Sequence, residues 1–100
     1  MEIMEIIDND MERTFILNKD LESNYIKQYE VEFNRFIQED TRDVIVDLKY
    51  VMKIDSMSIA ALIRIKKKLQ ENNRTLKIIN PNEGVLRILD ISGLETYLMD

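Results

Sequence analysis

The chain has no cysteine and no histidine. Without cysteine there is no disulfide, no thiolate nucleophile and no cysteine metal site. Without histidine it lacks the commonest general base near neutral pH and the commonest zinc ligand. A hydrolase or metalloenzyme would have to run on carboxylates and lysines alone, and no cofactor is expected. Glycine (2) and proline (1) are scarce, so most of the chain should be regular structure with short connections. No apolar run approaches the roughly 20 residues needed to span a bilayer. The start, M-E-I-M-E-I-I-D, has acidic residues and no basic n-region, so it does not read as a signal peptide. A soluble, cytoplasmic protein with no direct membrane insertion is the expectation. Positive charge is also short: 14 Lys and Arg stand against 19 Asp and Glu, for a net charge of −5. That is the wrong sign for a nucleic-acid binder, which must displace counterions from phosphates. The run Arg64, Lys66, Lys67, Lys68 is the local exception.

What is present is a small core. One hundred residues, 45% of them hydrophobic, suit a single domain over residues 1–100. Met1 to Ile7 alternates loosely and reads as an edge strand; Asp8-Asn9-Asp10 is a turn; Arg13 to Leu17 is a second strand, able to form a hairpin with the first. Glu22 to Gln38 has helical spacing, with Ile26, Tyr29, Phe33, Phe36 and Ile37 on one face and Ser23 or Asn24 as N-cap. Asp43 to Leu48 is a nearly continuous apolar run, suited to a central strand buried on both faces. A second helix runs from about Ser58 to Glu71, with Ile59, Leu62, Ile63 and Leu69 as its stripe, Ala60 and Ala61 permitting close approach, and Arg74 toward solvent or near the C-terminus. Asn72-Asn73 ends it. Thr75 to Ile79 is a fourth strand. Asn80-Pro81-Asn82 turns into a short helix, Glu83 to Asp90, burying Val85, Leu86, Ile88 and Leu89. Ser92-Gly93 closes it before an apolar tail of Leu94, Tyr97 and Leu98. The order β-β-α-β-α-β-α implies a mostly parallel four-stranded sheet in an α/β fold. No internal repeat or low-complexity segment is evident.

The candidate site is the stretch Val51 to Ile63, V-M-K-I-D-S-M-S-I-A-A-L-I. A strand leads into it and a polar turn at Asp55-Ser56 opens a helix. The first amides of a helix lack intrahelical acceptors, so such a place presents a hydroxyl or binds an anion. Other candidates are weaker. Asp90 and Glu95 flank a helix end, and nothing assembles nucleophile, base and oxyanion donors. N-K-D-L at Asn18 to Leu21 has the letters of a nucleotide-base motif, but there is no Walker A loop.

Three segments resemble the STAS domain, the fold of bacterial anti-sigma factor antagonists. L-N-K-D-L-E, from Leu17 to Glu22, is similar to the family's L-x-G-E-L-D. V-D-L-K-Y-V-M-K-I-D-S-M-S-I-A-A-L, from Val46, is similar to D-L-S-x-V-x-x-I-D-S-S-G-L-x-x-L. L-K-I-I-N-P-N-E-G-V-L-R-I-L-D-I-S-G-L, from Leu76, is similar to L-x-L-x-N-x-x-x-x-V-x-x-x-L-x-x-x-G-L. They occur in the family's order, without gaps, from Phe15 to Leu98, about four fifths of the chain. The resemblance implies a protein that binds an ATP-dependent anti-sigma kinase or a related regulatory protein and is not itself an enzyme. Phosphorylation of a serine at the start of the second helix would break that complex, because nearly two added negative charges must be desolvated in a packed interface.

Read without gaps, Asp55 matches the family aspartate, Ser56 the first serine, and Met57 the usual phospho-acceptor. Ser58 falls where the family usually has glycine. Shifting the register by one would rotate the helix by about 100° and take Ile59 and Leu62 off the core face. Lys19 replaces the glycine of G-E-L-D, Tyr25 stands where threonine is frequent, and the family's final helix is absent. The implied partner surface comprises Asp20, Glu22, Asn24, Asp55, Ser56, Met57, Ser58 and Ile59. Each has an ordinary alternative. Ser56 is an N-cap or a phosphosite, and Ser58 an exposed hydroxyl or a small polar filler. Met57 is a partner contact or a cover for the loop. Asp55 positions the loop or is a solvated turn residue, and Asp20 and Glu22 meet a basic partner or are simply solvated. The family also implies a second role, as a structural subunit of a stress-signalling scaffold or lipid-transport complex.

Overall fold

The computed structural model describes residues 2–91. Its elements are β1 (Met4–Asp8), β2 (Glu12–Leu17), α1 (Ile26–Glu39), β3 (Asp43–Asp47), α2 (Ser56–Glu71), β4 (Leu76–Ile79) and α3 (Glu83–Ile91). The Ser92-Gly93 closure, the apolar tail and the question of a final helix lie outside the described residues. One four-stranded sheet runs in the order β1-β2-β3-β4. β1 and β2 form the expected antiparallel hairpin, while β2–β3 and β3–β4 are parallel. The hairpin turn is held by Asn9, whose Oδ1 accepts the amides of Met11 and Glu12 at 2.8 and 2.9 Å.

Register decides which side chains meet the helices. Phe15, Val46 and Ile78 stand in one row across the sheet, as do Val44 and Leu76. They are buried with Ile26, Tyr29, Phe33 and Phe36 of α1 and Ile59, Leu62, Ile65 and Leu69 of α2 in one cluster. Phe15 meets Phe33 and Phe36 edge-on at 5.1 and 5.7 Å. Burying each such side chain contributes roughly 1.5–3 kcal/mol.

The opposite row of Thr14, Ile45 and Lys77 is half-buried or exposed. β3 is therefore only partly enclosed on its second face: Ile45 is half-buried there, while Ile16 and Asp47 on the same face are buried. Asp47, at the end of β3, is buried and accepts hydrogen bonds from Lys49 N and Asn80 Nδ2 at 3.0 and 3.2 Å.

Other expectations also shift. α1 starts at Ile26 rather than Glu22; residues 22–25 form a turn in which Tyr25 N and Ile26 N both bond to Glu22 O. Tyr25 occupies the N-cap position without a side-chain cap bond, so neither Ser23 nor Asn24 caps α1. Ile63 of the expected α2 stripe is only partly buried, Ile65 joins it, and Ala61 rather than Ala60 faces the core. In α3, Val85 and Leu89 are buried, while Leu86 is half-buried and Ile88 exposed.

Arg74 is buried rather than solvent-facing. Its Nε donates to Arg42 O at 2.8 Å, its Nη1 to Ile37 O at 2.9 Å, and its guanidinium lies 5.5 Å from the Phe36 ring centre. It joins the C-terminal end of α1 to the start of β3. The basic run is partly engaged within the fold: Arg64 pairs with Glu30 at 3.4 Å and Lys68 Nζ donates to Asn34 at 2.9 Å, both across the α1–α2 contact.

Candidate functional site

Two loops meet at one end of the sheet, residues 18–25 after β2 and residues 48–55 between β3 and α2. The sequence expectation paired them, and the fold does bring them together. Leu21 and Ile54 form an isolated parallel bridge beyond the strands, with Leu21 N bonded to Lys53 O and Asp55 N to Leu21 O, each at 3.0 Å. Leu21, Val51 and Ile54 are buried and anchor both loops to the core. The alternation that places Val51 and Ile54 inward turns Tyr50, Met52 and Lys53 outward.

Three polar side chains fix this tip. Asp20 Oδ1 accepts the amides of Met52 and Lys53 at 2.8 and 3.2 Å. Asp55 is the N-cap of α2: its Oδ1 accepts Ser58 N at 2.8 Å and its Oδ2 accepts Ser23 N at 2.9 Å. The hydroxyl of Tyr29 accepts from Lys19 N at 3.0 Å and donates to Lys19 O at 2.6 Å. At the far side, Asn82 caps α3 through Oδ1, which accepts Val85 N at 2.8 Å, and donates from Nδ2 to Val51 O at 3.0 Å.

Electrostatics follow from these bonds. Partial burial pushes the Asp55 carboxyl up, but the Ser58 amide, the adjacent Ser58 hydroxyl and the Ser23 amide outweigh it, and its pKa lies below the ordinary value. Its charge also sits where the α2 dipole favours an anion. The end of α2 is thus served by the protein's own carboxylate rather than left open for a foreign anion. Burial pushes the Tyr29 phenol up to about 12.

The nominated residues fall into three groups. Ser56, Met57 and Asn24 are exposed, Met57 by 54%. Asp20, Glu22 and Asp55 are half-buried and engaged, Glu22 with Asn24 Nδ2 at 3.2 Å. Ile59 and Ser58 are buried, Ser58 with 0% exposure. The Ser58 hydroxyl stands beside the Asp55 carboxylate without reaching good hydrogen-bond geometry to any partner. It fills space at a position where a glycine would also fit, and it is not an exposed hydroxyl in this fold. Ser56 is not the N-cap; it is the first helical residue.

Two exposed apolar residues escaped the sequence reading: Tyr50 at 55% and Met52 at 69% exposure. Large apolar side chains in a short connection already anchored by Val51 and Ile54 were the available signal. Tyr50, Met52 and Met57 give the tip an apolar surface on hydrogen-bonded supports. Among the described residues no acidic cluster is arranged to hold a metal ion, and no helix is long and apolar enough to cross a membrane.

A mixed sheet with a hydrogen-bonded loop pair at the start of α2 defines an α/β domain of the anti-sigma factor antagonist type. The sequence model of the STAS domain matches residues 4–98, and the chain belongs to that family. It is similar to an anti-sigma-B factor antagonist of Staphylococcus epidermidis, with 36% identity over 61 residues, 61% of this chain. The matched chain spans only 56% of that relative's length. Its fold is similar to a Thermotoga maritima protein described as an anti-sigma factor antagonist, with TM-score 0.86 and 21% identity over 96% of this chain and 83% of the other. It is also similar to the anti-sigma factor antagonist SpoIIAA in its unphosphorylated form, with TM-score 0.81 and 17% identity over 97% and 86%.

Proposed function

We propose that this STAS domain works by protein–protein binding, and that the tip formed by residues 19–24 and 50–59 docks on an anti-sigma factor kinase or a related regulatory protein. The observation that carries this reading is the exposure of Tyr50, Met52 and Met57 around loops held by Asp20 and Asp55. Exposed apolar side chains on a rigid support lose little conformational freedom on binding, and methionine adapts to varied partner surfaces. The acids act mainly as struts: Oδ1 of Asp20 and both oxygens of Asp55 accept main-chain amides. No enzyme activity is proposed.

On this reading the usual phosphorylation switch is missing. Met57 takes the acceptor position and has no hydroxyl, and Ser58 is enclosed. Incubation with a cognate kinase and ATP, followed by mass spectrometric mapping, tests this. The expected result is no stoichiometric phosphate; full phosphorylation at Ser58, or at the exposed Ser56, would overturn the reading.

The same permanently apolar tip also suits a constitutive subunit of a larger assembly, such as a signalling scaffold or a lipid-transport complex. A pull-down separates the two. Recovery of an ATP-binding kinase supports the first reading, and recovery of scaffold or transporter subunits supports the second.

A further inference from the structure

Among the described residues β1 is one of the two edges of the sheet, paired only with β2, and β4 is the other. Asn18 N donates to Ile3 O at 2.8 Å, which makes Ile3, Glu5 and Ile7 the hydrogen-bonded positions of the antiparallel ladder. The main-chain N–H and C=O groups of Met4 and Ile6 therefore point away from β2, along the open edge. Edge strands are commonly blunted by lysine, proline or a bulge. β1, with the sequence M-E-I-I-D, has none of these and pairs in unbroken register with β2.

Beside this edge, between β1 and α1, lies a groove of about 630 Å³ lined by residues that include Glu2, Met4, Ile6, Gln28, Val31 and Glu32. Ile6 and Val31 are 45% and 55% exposed. Glu5 also borders the groove, and no lining residue is basic. Glu32 pairs with Arg35 on its own helix at 3.0 Å, whereas Glu2 and Glu5 form no ion pair among the described residues. The groove is thus apolar at its middle, acidic at its margins and open along a strand edge.

We propose that β1 and this groove receive an extended segment of a partner protein that alternates basic and apolar residues and adds to the sheet as a further strand. Main-chain bonds to Met4 and Ile6 supply the pairing, and alternate side chains supply the specificity. Apolar residues on the helical side pack over Ile6 and Val31. The alternating cationic residues then fall on the other face of the strand, where Glu5 stands. A second copy of this chain fits less well, because pairing β1 with β1 brings the same glutamates together and like charges across strands repel. The site shares no residue with the tip, and its test does not depend on the reading given to the tip.

The test uses a fluorescently labelled synthetic peptide of alternating lysine and valine, followed by anisotropy and by amide chemical-shift mapping, with an alternating glutamate–valine peptide as control. The expected result is saturable binding of the lysine peptide alone, with shifts at Met4, Ile6 and Val31. Ile6→Pro removes an outward N–H and leaves the β1–β2 ladder intact, since proline is tolerated where its nitrogen faces the open edge. It should weaken binding by at least about tenfold, equivalent to about 1.4 kcal/mol, with the thermal melt retained. Glu5→Lys should do the same without touching the backbone, and decides the matter if Ile6→Pro fails to fold. Absence of binding at millimolar peptide, binding insensitive to these variants, or shifts confined to residues 50–57 would overturn the proposal. So would sedimentation showing that the protein dimerises through β1 and that Ile6→Pro abolishes the dimer.

Discussion

Asp55 and Ser23 are 32 residues apart in sequence, and the Asp55 Oδ2 accepts the Ser23 amide at 2.9 Å. Its other oxygen caps α2 through Ser58 N at 2.8 Å. One carboxylate therefore starts a helix and joins the two loops of the tip.

Replacing it should loosen both. Loss of an N-cap typically costs about 1 kcal/mol, and loss of the second charged hydrogen bond adds roughly another. Asp55→Ala is expected to lower the melting temperature by roughly 8–16 °C, taking about 4–8 °C per kcal/mol for a domain of this size. Asp55→Asn keeps one acceptor and should lose about half as much. Differential scanning calorimetry of the two variants checks the ordering.

Acid should weaken the fold through the same group. The folded pKa of Asp55 lies below its ordinary value, so its contribution is present above the unfolded pKa of about 3.9 and is lost as pH falls through the folded value. Asp8 and Asp40 shift the same way, through hydrogen bonds from the Arg13 and Arg42 side chains respectively. Urea midpoints should therefore fall steadily below about pH 4. Asp55→Asn should show a shallower fall than the wild type.

Alkali acts through Tyr29. Its phenol is pushed up to about 12, so the folded state holds the proton more tightly than the unfolded chain does. The stabilisation is complete below the unfolded value of 10.0 and is lost as pH rises through about 12. A late component in the tyrosinate absorbance titration is expected, and Tyr29→Phe should remove it. That variant also leaves the Lys19 amide and carbonyl without their buried partner, at roughly 1–3 kcal/mol.

Arg74 gives a third structural test. Arg74→Met should cost roughly 2–3 kcal/mol, because two carbonyl acceptors, Ile37 O and Arg42 O, lose a charged donor. Arg74→Lys should rescue little, since one ammonium does not reproduce the planar fork that reaches both carbonyls beside the Phe36 ring. Chemical denaturation of both variants measures this.

Binding should respond to the tip independently of stability. Met57 is exposed, so Met57→Asp should change stability by no more than about 0.5 kcal/mol. A charge placed in a desolvated contact should still weaken partner capture by at least about tenfold, or about 1.4 kcal/mol. Calorimetric titration with the recovered partner, alongside Met52→Asp, reads the effect.

Much of the fold was legible because its signals are local. The spacing of Ile26, Tyr29, Phe33 and Phe36 marks α1, and the same face is buried in the structure. Asn73 and Asn80 both adopt positive φ, 58° each, where asparagine is tolerated, and both follow regular elements as the turn signals required. The site was only partly legible. The capping role went to Ser56 and to Ser23 or Asn24 on local preference. It belongs to Asp55 for α2, and to no side chain for α1, which starts only at Ile26 after the turn at residues 22–25 and so has Tyr25 at its N-cap.

By itself the sequence determined the element order and the family, since periodicity, turn residues and motif spacing are properties of neighbouring positions. Only the tertiary structure decided which side chains are available. Ser58 is enclosed, both oxygens of Asp55 and one of Asp20 bind main-chain amides, Arg74 is drawn inward, and Tyr50 and Met52 are left outside. Those outcomes depend on distant segments competing for the same hydrogen bonds and the same apolar space, which no local pattern of residues records.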